Sequence, residues 1–229
     1  MLKRQKKISK KEIKEDKLVS TYFEATSWYE QNKKLVSSVI TGVVIVVILA
    51  IVVRNNIASN NAQAETELSK VMTYFDQGNF EGSINGIPQE NVRGLAAIVN
   101  DYGSTRAGEF AKFYLANAYY ATKEYDKALE QYLDVSVDDE LIQASAFAGA
   151  GACYEAKGDN SNAAQYYEKA ALLGKANTQA AEQLHRAAMN YAAAGNKDKA
   201  VELLKKVKKD YPTSAIARDI ERYLAVVNS

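Results

Sequence analysis

One cysteine (Cys153), one histidine (His185), one tryptophan (Trp28) and two prolines (Pro88 and Pro212) occur in 229 residues. A single cysteine excludes an internal disulfide, and so sparse a use of thiols fits an oxidising compartment without requiring one. His185 and Cys153 lie in different segments, so no Cys/His metal set and no nucleophile–His–acid set can be assembled from them. Both read as packing or surface residues on helices. Gly149 and Gly151 follow no strand and make no dinucleotide fingerprint, and Gly174-Lys175 lacks the upstream glycine of a phosphate loop. Asp138-Asp139-Glu140 reads as a solvated loop. These absences argue against catalysis, and no cofactor or metal is expected. Scarce proline and abundant alanine favour helix throughout.

What is present begins with Leu35 to Val53, 19 consecutive uncharged residues between Lys33-Lys34 and Arg54. At about 1.5 Å per residue this run reaches roughly 28 Å as a helix, close to the hydrocarbon thickness of a bilayer. Residues 1–34 carry ten Lys or Arg, and beyond the run Arg54 is the only basic residue before Lys70. That excess predicts a cytoplasmic tail and residues 55–229 across the membrane, with Trp28 and Tyr29 at the cytoplasmic interface. Ala62-Gln63-Ala64 has the form of a signal cleavage site. It lies well past a run longer than a signal core, which favours an uncleaved anchor.

The net charge of +1 hides an asymmetry. Residues 1–54 hold 11 basic and 5 acidic side chains, whereas the remainder holds 18 and 23. A mildly acidic main domain argues against nucleic acid, and the basic tail suits an anionic leaflet. Within the tail, Ser9-Lys10-Lys11-Glu12 forms a capping box. Leu18, Val19, Tyr22 and Phe23 then follow at helical spacing, which predicts an amphipathic helix on the inner membrane surface. Residues 54–64 read as a short polar linker.

From there the chain repeats itself. Tyr119, Tyr154 and Tyr191 are 35 and 37 residues apart, and Ala128, Ala163 and Ala200 keep the same intervals. Ala116, Gly151 and Ala188 add a small residue to each first helix. Gly158 and Gly195 mark two of the turns, and Lys123 stands where the third glycine would be. This pattern resembles the tetratricopeptide repeat (TPR), a 34-residue helix–turn–helix unit. Three repeats are expected at about 109–142, 144–177 and 181–214. A degenerate copy at 65–108 contains an insertion at 81–91, too irregular for helix and read as a small hairpin or an extended loop, with helix expected from Val92 to Tyr102. A capping helix at 213–228 closes the stack. The predicted fold class is all-α, one N-terminal transmembrane helix followed by a TPR-type α-solenoid over 65–229.

In such repeats the first helices line a groove. The resemblance places Leu68, Met72, Phe75, Phe110, Phe113, Asn117, Tyr120, Ala148, Ala152, Glu155, His185 and Met189 there. This mostly apolar set suits an extended hydrophobic or amphipathic peptide, and it suits packing against a neighbouring repeat or a second copy of the chain equally well. It lacks the Lys/Arg pairs by which some repeat proteins clamp a carboxylate tail.

The whole layout is similar to the ancillary Sec translocon subunit (YfgM-like) family of bacterial single-span repeat proteins. The similarity rests on Tyr22-Phe23-(x)4-Trp28-Tyr29-Glu30-Gln31-Asn32-Lys33-Lys34 before the span and on Asp101-Tyr102-Gly103-Ser104-Thr105-Arg106-Ala107-Gly108. Membership would imply an inner-membrane protein with periplasmic repeats. Such a protein associates with the protein-export channel and hands emerging polypeptides to periplasmic chaperones. The alternative expectation is a structural scaffold subunit of a stable envelope complex.

Overall fold

The computed structural model describes residues 10–173 and 179–228. The basic residues before Lys10, the opening Ser9 of the capping box, and Gly174-Lys175 lie outside the described residues. The chain divides into two compact units, Met1–Asn56 and Ile57–Ser229.

In the first unit, α1 (Lys10–Gln31) meets α2 (Lys33–Asp76) at Asn32. Backbone hydrogen bonds continue through that residue, from Asn32 N–H to Trp28 (3.0 Å) and from Val36 N–H to Asn32 (2.9 Å). Val19, Tyr22 and Phe23 share one exposed face of α1, as their spacing predicts. The apolar run makes up much of the first half of α2. By length and composition α2 is long and apolar enough to cross a membrane, and none of its most apolar 18 residues is buried.

Residues 54–64 are helical within α2, a departure from the linker reading. Their polar side chains have structural work in the second unit. Asn61 Oδ1 accepts from the Ala107 N–H at 2.9 Å, and Gln63 Oε1 accepts from the Tyr102 hydroxyl at 3.1 Å. Ala64 is fully buried beside them. A polar run is not a loop when its donors and acceptors face a neighbouring helix end.

Four helix pairs share one turn. The tyrosine carbonyls of Tyr74, Tyr119, Tyr154 and Tyr191 accept from the N–H groups of Asn79, Glu124, Asp159 and Asn196, at 2.8–3.0 Å. Inside each, Phe75, Tyr120, Glu155 and Ala192 accept from Gly78, Lys123, Gly158 and Gly195. This is the Schellman arrangement, which needs one left-handed residue. Gly78, Gly158 and Gly195 supply it with φ of 78°, 80° and 85°, and Lys123 adopts 65° in the place of glycine. The residue after each begins the next helix, and Asn79, Asp159 and Asn196 cap it through their side chains.

Around these turns α5 (Arg106–Ala121) pairs with α6 (Tyr125–Asp134), and α7 (Glu140–Ala156) pairs with α8 (Asn160–Leu173). The third pair is α9 (Ala180–Ala193) with α10 (Lys197–Asp210). Seven residues before each turn, Val71, Ala116, Gly151 and Ala188 are buried. Five after it, Ser83, Ala128, Ala163 and Ala200 are fully buried. At every one of these places except Val71 the side chain is Gly, Ala or Ser, which lets the two backbones approach closely.

The degenerate copy departs most from expectation. Its second helix starts as α3 (Phe80–Asn85), where irregular chain was predicted. A two-stranded hairpin follows, β1 (Gly86–Ile87) against β2 (Val92–Arg93), pairing Gly86 with Arg93. Helix resumes only at α4 (Leu95–Tyr102), three residues later than its expected start at Val92. The Ser83 hydroxyl donates back to the Asn79 carbonyl at 2.7 Å, which satisfies a polar group at a fully buried position of α3. At the other end the expected single capping helix is two pieces, α11 (Ala215–Arg218) and α12 (Ile220–Asn228), broken at Asp219. Ile220 and Val227 are buried, and Tyr223 and Leu224 half-buried, on one face of α12.

A Cβ at Gly158 or Gly195 would meet nothing within 4 Å, so substitution there tests backbone conformation alone. Gly158→Ala and Gly195→Ala are each expected to cost about 1 kcal/mol, and Lys123→Gly to gain a fraction of that. Thermal unfolding should register the losses as Tm shifts of roughly 2–4 °C. Equal stability of all three variants would show that the shared turn is not where the pairs are held.

Candidate functional site

The expected groove residues separate into four groups. Leu68 and Phe75 pack into the core formed by the end of α2 with α3, α4 and α5. Phe75 lies edge-on to Phe80 and Tyr114, with ring centroids 5.4 Å apart in both pairs. Phe113 is edge-on to Tyr114 (5.7 Å) and Tyr132 (6.2 Å). Ala148, Ala152 and Met189 flank the core of the last repeats, and Met72 is half-buried. Phe110 stands apart from these. It lines a cleft of about 510 Å³ between the start of α5 and the 136–139 loop, beside Arg106, Glu109 and Asp139. Asp139 there caps α7 through the Leu141 and Ile142 N–H groups, at 2.9 and 3.1 Å.

Asn117, Tyr120 and Glu155 form the polar part of the first-helix face. Tyr132 reaches up from α6 and donates its hydroxyl to Asn117 Oδ1 at 2.6 Å. Its ring occupies the space above Gly149, where any Cβ would overlap it. From α8, Tyr167 passes beneath Gly151 in the same way and donates to Glu155 Oε2 at 2.6 Å. Burial of both phenols, with the Glu155 carboxylate adding to it at Tyr167, pushes their ionisation far above neutral pH. They act as fixed donors.

Arg186 completes the cluster, and sequence reasoning passed over it in favour of its neighbour His185. Its guanidinium pairs with Glu155 at 3.3 Å, linking α7 to α9, and lies over the Tyr167 ring at 4.7 Å. Both charged partners are about 40% exposed, so the pair stays wet and contributes little stability. A lone arginine among the alanines of α9, one repeat on from an acid on α7, was the available signal. Tyr120 is raised in pKa chiefly by burial, with the nearby Arg186 pulling the other way.

His185 turns from the open face toward α12. Its ring centroid is 4.1 Å from that of Tyr223, and neither ring nitrogen has a hydrogen-bond partner. Burial depresses its pKa, Arg186 and Arg222 act in the same direction, and Glu182 opposes them. Cys153 is fully buried in the core between α5, α6 and α7, and burial pushes its thiol up to about 12. Among the described residues no group of three His, Cys, Asp or Glu could hold a metal ion. The surface offers aromatic, amide and charged contacts at modest depth, suited to association.

Residues 184–214 match the tetratricopeptide repeat family. Among solved structures, the chain is similar to nearly identical TPR-like repeats assigned to a kinesin light chain of Podosopora anserina, at 18% identity and a TM-score of 0.54. The match covers 73% of this chain and 86% of that one. A glutamine-to-methionine variant of the same repeats gives the same identity and TM-score, with 85% of its chain covered. No curated protein matches by sequence. The fold is therefore TPR-like, with one repeat matched by sequence as well, and repeats of this kind suggest a protein–protein interaction module.

A thiol with a pKa near 12 is a thiolate in only about one molecule in 10⁴ at pH 8. Cys153 is accordingly expected to resist maleimide in the folded protein and to label fully in guanidinium, as intact-mass measurement would show. Rapid labelling of the native protein would mean that the α5–α7 core opens readily.

Proposed function

We propose that the chain is a membrane-anchored interaction module that presents its repeats on the extracytoplasmic side. There it serves as a chaperone or adaptor at the periplasmic face of the protein-export channel. The observation that carries this reading is the first-helix face of α5, α7 and α9. On that face Asn117, Tyr120, Glu155, Arg186 and Met189 keep partial exposure. Half-exposed aromatic and thioether side chains with a few polar anchors suit varied extended chains better than one rigid partner.

Anchoring is supported by the apolar run of α2, none of which is buried, and by the basic excess ahead of it. An uncleaved anchor is favoured by Ala64. A cut after it would remove the Asn61 and Gln63 contacts that tie α2 to the ends of α4 and α5. The export channel, emerging envelope proteins and periplasmic chaperones are the partners that the similarity to the Sec-associated family suggests. A scaffold role is the second reading, and the hairpin favours it. Glu90 bonds to Tyr74, and Arg93 pairs with Asp101 and lies over Tyr102, so the hairpin is held as a fixed surface.

Photo-crosslinkers at Tyr120 and Met189, in full-length protein in its own membrane, are expected to capture many different exported chains during synthesis. The same group at Gln165, exposed on α8, should capture few. Capture of one folded protein in constant ratio from every position would replace the chaperone reading with the scaffold. Accessibility of residues 57–229 to protease only from the cytoplasmic side would overturn the orientation.

A further inference from the structure

α12 is the last element of the fold, nine residues long and separated from α11 by the break at Asp219. Ile220 and Val227 seat it on the core that α9 and α10 share, and Tyr223 brings it to His185. That contact sets the one histidine of the chain between two helices with Nδ1 and Nε2 both out of water and without partners. A neutral imidazole tolerates the site as a flat apolar ring. An imidazolium would bring two N–H donors and a positive charge, with no acceptor waiting for either.

The surrounding charges do not compensate. On α9, Glu182 favours the cation and Arg186 disfavours it, and on α12 Arg222 disfavours it. Glu155 of α7 reaches this region only through its pair with Arg186. Asp219 is engaged by Arg222 at 3.3 Å, and Glu221 by Lys208 of α10 at 2.6 Å. The face of Tyr223 could hold a cation, but the Arg222 guanidinium already lies over that ring at 5.0 Å. Detaching α12 is the simple way to let water reach both ring nitrogens.

We propose that His185 is an acid-sensitive latch on the C-terminal helix: protonation of its imidazole releases α12 from α9 and α10 and uncovers their apolar face. The sign follows from linkage. His185 binds its proton less tightly with α12 docked than in a solvated chain, so docking is strongest above the ordinary histidine range. As pH falls through that range, docking weakens by up to about tenfold per pH unit, until the docked form itself takes up the proton. The device is independent of what the first-helix face binds, and its failure would leave that reading untouched.

The test uses full-length, untagged protein in detergent or lipid discs. With one histidine, an imidazole NMR titration reports a single residue, and its pKa should fall below the ordinary value. A value at or above the ordinary one overturns the proposal without any variant. Hydrogen exchange of residues 215–228, corrected for intrinsic rate, should quicken several-fold between pH 7.5 and pH 5.5, while α5 and α6 stay protected. His185→Phe keeps a ring against Tyr223 and cannot titrate, so its α12 exchange should be the same at both pH values. An acid-induced loosening of α12 that persists in His185→Phe, or one shared by α5 and α6, would overturn the latch.

Discussion

Two helices of one repeat can lie close together only because the backbone reverses over two residues, one of them left-handed. Gly78, Lys123, Gly158 and Gly195 all serve this reversal, with tyrosine carbonyls closing the ring behind them. The reversal fixes which positions face each other. Seven before it and five after it the positions are buried in all four copies, and the three regular copies place only Ala or Gly there. Everything else in the second unit is fitted around that approach, including the large tyrosines that fill the space on either side.

The association surface depends on the same spacing. Tyr132 and Tyr167 reach the first helices from below because Gly149 and Gly151 leave room for their rings. Their hydroxyls then orient Asn117 and Glu155, and Glu155 in turn holds Arg186 across to the next repeat. Polar groups on the open face are thus positioned from the interior. Neighbouring repeats are held by apolar contact, and the exposed Glu155–Arg186 pair bridges α7 and α9 at its edge.

The degenerate first copy shows how far the plan can bend. Ser83 stands where the other repeats have alanine, and its hydroxyl finds the Asn79 carbonyl, so a polar residue is accommodated at a fully buried position. The hairpin then interrupts the second helix, and α4 completes the layer. Its closing turn, from Tyr102 to Thr105, is rebuilt from Tyr211 to Ser214 at the far end of the domain. Each tyrosine carbonyl accepts from a Thr or Ser that caps the following helix.

The sequence by itself determined the helical class, the apolar run, the positions of the three regular turns and the small residues around them. These are matters of period, length and side-chain volume, and they are local. It also marked Lys123 as the departure from glycine that the turn accommodates. Tertiary structure alone decided which of the apolar first-helix residues remain open. Phe75 and Phe113 are drawn into packing by aromatic neighbours from other elements, and His185 is claimed by α12. It likewise decided that the polar stretch 54–64 is helix and that Arg186 belongs to the surface, because both depend on partners that are 31 to 46 residues away in the chain. Spacing assigns a residue to a face, but only its neighbours across the fold decide whether that face is free.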